Sequence, residues 1–317
     1  MDIEGLLSSL TLEEKCRLLV GSDAWHTERI SRLSIPSIMM ADGPHGLRKQ
    51  LDSKEAMLSN EAYQAVCFPP AVTVASSFDP TVIETMASAI ADECLYKDVQ
   101  ILLGPVLNIK RSPLCCRNFE YYSEDPLISG EMAAAFVRGL QTKKVGACLK
   151  HFALNSQETY RMIGDSIADK RAFYELYTAG FKRAIKEKPD MVMCSYNKVD
   201  GTYASENSKL LKDILRDEYG FDKVIVSDWT AVNDRSLALK ATLDLEMPGH
   251  PYAYQKLIHD YHKNLITMDD IDASVRRILT LVESKQSNQM IPFDLSINHQ
   301  KAYEIAKESF VLLKNEE

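Results

Sequence analysis

The sequence is poor in the features that mark several large classes of protein. No apolar run approaches the roughly 20 residues needed to span a bilayer, and the first twenty residues carry acids early without an uninterrupted apolar core. A secretory leader is therefore not expected, and a cytoplasmic location is. Lysine and arginine nowhere cluster, and the net charge is −8, which argues against nucleic acid as a partner. The seven cysteines, at positions 16, 67, 94, 115, 116, 148 and 194, form no CxxC pair; reduced core thiols are the expectation. There is no GxxxxGK phosphate loop and no GxGxxG turn after the first strand pattern, so nucleotide-binding folds lose their main signal. His259 and His262 share a helical face but lack a third ligand of matching spacing, so no metal site is expected.

What is present is an ordinary globular composition, 45% hydrophobic and 26% charged over 317 residues, enough for one large α/β domain. Short apolar runs alternate with helical patterns. Strands are expected at Ser37–Met40, Ala71–Ala75, Gln100–Leu103, Val145–Leu149, Met191–Cys194 and Val224–Val226, with a seventh at Leu243–Leu245. Between them, Thr11 with Glu14 reads as a capping box for a helix closing at Gly21, and Asp79 before Pro80 reads as a helix start. Phe173, Leu176, Tyr177, Phe181, Ala184 and Ile185 form one apolar helical face, and Ile271–Val282 another. This alternation predicts a parallel sheet covered by helices, as a (β/α)8 TIM-type barrel, incomplete or distorted because no eighth strand is readable. The barrel domain is assigned to residues 1–284. A polar stretch, 284–298, reads as a linker, and a last amphipathic pattern (Ala302, Ile305, Ala306, Phe310, Leu313) follows it.

In such barrels the chemistry sits where strands end. Reading each strand forward collects Asp42, Lys150-His151, Ser195-Tyr196 and Asp228-Trp229, while the third strand leads into a loop rich in arginine, aromatic and acidic residues (111–125). Each has a bland reading. Asp228 is as well placed to cap a helix as to react, Asp42 suits a turn before Gly-Pro, and Arg117 with Glu120 reads as a surface pair. Two ionisable groups directly after a buried strand, as in Lys150-His151, are costly unless paired or functional. Convergence of all of them on one rim favours function. Acidic, basic and aromatic groups together suit a neutral, hydroxyl-rich ligand, and glycoside cleavage requires two carboxyl groups with separate duties.

These segments are long and ordered enough to be identified. Asp42–Arg48 (DGPHGLR), Ser112–Pro126, Lys150–Arg161 (KHFALNSQETYR), Met193–Asn197, Ser227–Trp229 (SDW) and Leu243–Gly249 make the chain resemble the first domain of family 3 glycoside hydrolases of the β-glucosidase type. The resemblance implies that Asp228 is the nucleophile of a retaining mechanism. It implies that Asp42 and Arg48 hold hydroxyls on the far side of a glucosyl ring, that Arg117, Lys150, His151 and Arg161 bind the others, and that Met193, Tyr196 and Trp229 shape the pocket. No cofactor or metal is implied. It further implies that residues 285–317 lead into a second, α/β-sandwich domain, a partner in cis or trans that carries the acid/base glutamate. The chain alone, a truncated or split form, is then expected to be weakly active. Two departures stand out: Cys116 where glycine is frequent, and Asn233 where histidine is frequent. No GHGxxxxD pattern follows Lys150-His151, unlike the family's hexosaminidases. A β-xylosidase, a non-catalytic sugar-binding barrel and an aldolase using Lys150 as a Schiff-base amine are the alternatives.

Overall fold

The structure is a computed structural model, and it describes residues 2–51, 61–285 and 292–316. The chain opens with helices α1 (Ile3–Ser9) and α2 (Leu12–Leu18), strand β1 (Met40–Asp42), and helices α3 (Ala71–Val74) and α4 (Pro80–Tyr96). Strand β2 (Ile101–Leu103), helix α5 (Pro126–Gln141), strand β3 (Gly146–Phe152), a short strand β4 (Asp165–Ser166) and helices α6 (Lys170–Ala172) and α7 (Ala179–Ile185) follow. Next come β5 (Met191–Cys194), a small hairpin β6 (Lys198–Val199) and β7 (Thr202–Tyr203), a wide-turned helical segment Lys209–Glu218, and β8 (Val224–Val226). Helices α8 (Arg235–Lys240), α9 (Pro251–His262), α10 (Met268–Lys285) and α11 (Leu295–Glu308) complete it.

Local chemistry sets these boundaries. Thr11 and Glu14 form the expected capping box at the start of α2, satisfying donors that the first turn leaves free. Asp79 accepts from the Thr81 amide at 2.8 Å at the head of α4, with Pro80 in the first turn. Asp125 does the same for α5. Gly139 lets α5 approach α4 closely, since a Cβ there would lie 2.4 Å from the Glu84 carbonyl oxygen. The expected end of α2 at Gly21 is wrong. The helix stops at Leu18, and Gly21 instead donates to the Glu246 carbonyl oxygen at 3.0 Å.

Five strands lie in the order β1-β2-β3-β5-β8, all parallel. Their side chains alternate. Met40, Ile101, Leu103, Cys148, Met191, Met193, Val224 and Val226 join one apolar cluster, and Ala41, Leu102, Ala147, Leu149, Val192 and Ile225 face α4, α5 and α7 in another. The ring is carried further by single bridges. Leu245 pairs with Val226, Glu246 with Val20, Gly21 with Thr27, and His26 with Met39 beside β1. The last two are antiparallel. The fold is thus a distorted (β/α)8-type barrel.

Ala71–Ala75 is not the second strand. Pro70 precedes it, and burial falls on Ala71, Val74 and Ala75 while Val72 is exposed, the spacing of a helix face rather than of a strand. The linker reading also needs correction at both ends, because α10 runs through Lys285 and α11 begins at Leu295; residues 286–291 lie outside the described residues. Helix α11 packs on α4, where buried Asn298 donates to the Ala89 carbonyl oxygen at 2.7 Å and to Glu93 at 2.9 Å. Ala302 and Ile305 are buried, whereas Phe310 and Leu313 lie beyond the helix end and are exposed.

Candidate active site

Side chains from four strand ends meet over the sheet's carboxyl edge. Asp42 closes β1. The turn after it is held by two glycines in the left-handed half of backbone space, Gly43 at φ +125° and Gly46 at φ +136°, so the chain doubles back and the Arg48 amide donates to the Asp42 carbonyl oxygen at 2.8 Å. Strand β3 continues through Lys150 and His151, which are buried, before Phe152 ends it. Tyr196 lies just past β5 and Asp228 just past β8.

Lys150 Nζ donates to Asp42 Oδ1 at 2.8 Å. Burial alone would raise the Asp42 carboxyl, but Lys150, the Gly43 amide and Arg117 overcome it and hold the group below the usual range. Burial likewise works against the Lys150 ammonium, and Asp42 and Glu120 outweigh it, keeping Lys150 above its ordinary value. Both are charged.

Asp228 is 8% exposed. One oxygen accepts from the Trp229 amide at 2.7 Å, the Tyr196 hydroxyl donates to the carboxylate, and His151 Nε2 lies 3.4 Å from the other oxygen. Burial pushes its carboxyl upward more strongly than Lys150, these hydrogen bonds and Arg117 pull it down. Burial, and then Arg117, Lys150 and Arg161, hold His151 well below the usual histidine range. Its contact with Asp228 is therefore that of a neutral imidazole, not an ion pair.

Arg117 Nη2 lies 3.3 Å from His151 Nε2. Arg117 also pairs with Glu120; Glu120 is buried and Arg117 is only 16% exposed, so the surface-pair reading of these two is wrong. Arg161 lies over the Tyr196 ring at 4.4 Å. Trp229 donates through Nε1 to the Ala24 carbonyl oxygen at 2.7 Å and packs against Trp25 at 5.3 Å between ring centroids. Met193 is buried in the apolar cluster of the barrel. Arg48 is the exposed member of the predicted set, on the turn beside Asp42.

Four further residues belong with these. Glu158 reaches Arg161 at 2.6 Å and Arg117 at 3.8 Å. Asn108 exchanges hydrogen bonds with the His151 backbone at 2.8 and 2.9 Å. Trp25 extends the aromatic wall, and His45 accepts from the Ala71 amide at 2.9 Å, its own titration lowered to about 4 chiefly by burial. Glu158 sits inside the KHFALNSQETYR segment and was open to notice there. Trp25 and Asn108 carry no local signal, because their roles depend on loops meeting from distant parts of the chain.

The site therefore holds Lys150, Arg117 and Arg161 against Asp42, Glu120, Glu158 and Asp228, around a neutral His151. Charges of both signs held side by side offer acceptors and donors together, which suits a neutral, hydroxyl-rich ligand. Among the described residues no group of three His, Cys, Asp or Glu side chains is arranged to hold a metal ion.

Residues 13–281 match the glycosyl hydrolase family 3 N terminal domain. The chain belongs to this family. It is 47% identical to thermostable beta-glucosidase B of Acetivibrio thermocellus, over all of this chain and 42% of that protein. It is 42% identical to an exo-alpha-(1->6)-L-arabinopyranosidase of Bifidobacterium longum, over 98% of this chain and 42% of that protein. Beta-glucosidase 3B from Thermotoga neapolitana, solved in complex with glycerol, superposes with a TM-score of 0.92 at 38% identity, over all of this chain and 48% of that one. This chain thus spans less than half the length of each. Among the described residues no helix is long and apolar enough to cross a membrane.

Proposed function

We propose that this chain is the sugar-binding, nucleophile-bearing part of a retaining β-glucosidase that acts on terminal β-D-glucosyl residues. The observation that carries the reading is the Asp228 carboxylate, buried at a strand end against His151 and Tyr196 and within the field of Lys150 and Arg117. In a double-displacement mechanism it attacks the anomeric carbon and forms a covalent glycosyl-enzyme, which water then releases. Lys150 and Arg117 favour its ionised form and Tyr196 orients it. Asp42 and Lys150, fixed on each other, present an acceptor and a donor to ring hydroxyls; Arg117, His151 and Arg161 supply more donors, with Arg48 at the rim. Trp229, backed by Trp25, offers a face for the sugar or its aglycone.

The proton for the leaving group is assigned to a glutamate of a second, α/β-sandwich domain, following residues 285–317 in cis or acting in trans. General-acid assistance is worth roughly 10²–10⁴-fold, so the chain alone is expected to turn over weakly. A cytoplasmic location fits the seven cysteines, all free thiols.

Lys150 is ill suited to Schiff-base chemistry, because Asp42 and Glu120 stabilise its charged form, whereas an attacking amine must be neutral. The relative named as an exo-alpha-(1->6)-L-arabinopyranosidase supports a second reading, a pentopyranosidase, beside the β-xylosidase already considered. The test is incubation with an activated 2-fluoro-glucoside followed by peptide mass analysis. A single glycosyl label on Asp228 is expected, and an unlabelled chain overturns the catalytic reading in favour of a sugar-binding barrel. The corresponding 2-fluoro-xyloside and arabinopyranoside rank the sugars.

A further inference from the structure

The loop after β3 carries no regular structure between Phe152 and the short strand β4, yet it presents Arg161 to the pocket. What holds it is a small set of polar contacts. The Tyr121 hydroxyl donates to the Asn155 carbonyl oxygen at 3.1 Å, and the Arg161 amide donates to the Glu158 carbonyl oxygen at 3.2 Å. Within that turn the Glu158 carboxylate is held by two guanidiniums and an amide: one oxygen takes Arg161 Nη1 at 2.6 Å, while the other lies 3.8 Å from Arg117 Nη1 and 3.4 Å from Asn155 Nδ2. Its side chain is 14% exposed.

From this one carboxylate two routes lead to the nucleophile. Along the first, Arg161 lies over the Tyr196 ring at 4.4 Å, and the Tyr196 hydroxyl donates to Asp228. Along the second, Arg117 touches His151 at 3.3 Å, and His151 touches Asp228 at 3.4 Å. The two arginines and Lys150 would repel one another in so small a space. Glu120 takes one side of Arg117, but Arg161 has no carboxylate other than Glu158 in ion-pair contact among the described residues.

We propose that Glu158 is a positioning residue, which sets Arg117 and Arg161 together and through them the orientation of Tyr196 and His151 against the Asp228 carboxylate. It does not touch the sugar or the reacting atoms. The inference rests on the nucleophile reading above and names a residue that reading does not use.

The experiment compares Glu158→Ala and Glu158→Gln with the parent chain in two measurements. The first is inactivation by the activated 2-fluoro-glucoside, separated into a saturation constant and a first-order labelling rate. Misplacing reacting groups by about an ångström costs on the order of a hundredfold, so Glu158→Ala is expected to lower the labelling rate roughly 10- to 100-fold. Glu158→Gln, which keeps an acceptor for Arg161 but not the charge, is expected to fall between. A side chain that merely supported the fold would change melting behaviour and show no such rescue. The second is a crystal structure of Glu158→Ala, expected to show Arg161 off the Tyr196 ring. If both arginines stay in place in that crystal, the proposal fails whatever the labelling shows. If the parent chain is not labelled, the nucleophile reading fails and the crystal still decides the positioning role. Labelling of Glu158→Ala at the parent rate also overturns it.

Discussion

Two buried aspartates flank the same pairing of β8 with Leu245, and they are treated in opposite ways. Asp244 is fully buried and saturated. It accepts from Arg216 at 2.7 Å and from the Ile225 amide, Ser274 and Arg277 at 2.8 Å each. Asp228, sixteen residues earlier, accepts from one backbone amide and one hydroxyl, and faces a neutral imidazole at 3.4 Å. Four donors, two of them cationic, make a buried carboxylate inert and structural. A carboxylate left short of partners in a buried site keeps lone pairs for a substrate and holds its charge at a cost. Satisfaction, more than burial, separates the structural acid from the reactive one.

Exchanging each acid tests that contrast, and the largest effect is expected at Asp228. Asp228→Asn should lower 2-fluoro-glucoside labelling by about 10⁴-fold or more, as loss of a nucleophile does. It should also stabilise the chain near neutral pH, by about 1 kcal/mol. The sign follows from linkage. Burial raises the folded-state carboxyl above its unfolded value, so the unfolded chain releases the proton first, and stability declines as pH rises through that window. Asparagine cannot ionise and escapes the decline. A variant that melts below the parent at pH 7 would show that the carboxylate is not strained in the way described.

Asp244→Ala should do the reverse. Removing it leaves the Arg216 and Arg277 guanidiniums without a buried counter-charge, a loss of about 3–5 kcal/mol, read by urea denaturation. The fraction that remains folded should still label at Asp228. A midpoint equal to the parent's would mean that water replaces the carboxylate without penalty.

The same contrast explains what was legible in the sequence. Asp228, Asp42 and Lys150-His151 were found because each follows a short apolar run that is a genuine strand, and barrel logic assigns chemistry to such ends. Asp244 sits in an equally apolar run, but nothing in its neighbourhood announces that arginines 28 residues before and 33 residues after it converge there. Ala71–Ala75 misled for a related reason: β-branched composition suggested a strand, while Pro70 and packing against the barrel selected a helix. Closure of the ring by single bridges at Val20, Thr27 and Glu246 left no periodic trace. Glu120 looked like a surface partner because i,i+3 pairs usually are, and only the covering loops show that it is buried.

The mildest expectation concerns Lys150, which pairs with Asp42 and whose charge also favours the ionised form of Asp228. Lys150→Met removes a charged hydrogen bond worth about 1.5–3 kcal/mol, so labelling near neutral pH should slow roughly ten- to hundredfold. The pH profile carries the sharper information. Asp228 must be ionised to attack, and its raised carboxyl means that labelling by the parent is lost on acidification at a higher pH than for an ordinary aspartate. Without the Lys150 charge that pulls the carboxyl down, burial acts less opposed, and the midpoint should move upward again. An unmoved midpoint would mean that Lys150 serves Asp42 and the sugar alone, and that Arg117, Tyr196 and the Trp229 amide suffice to keep Asp228 reactive.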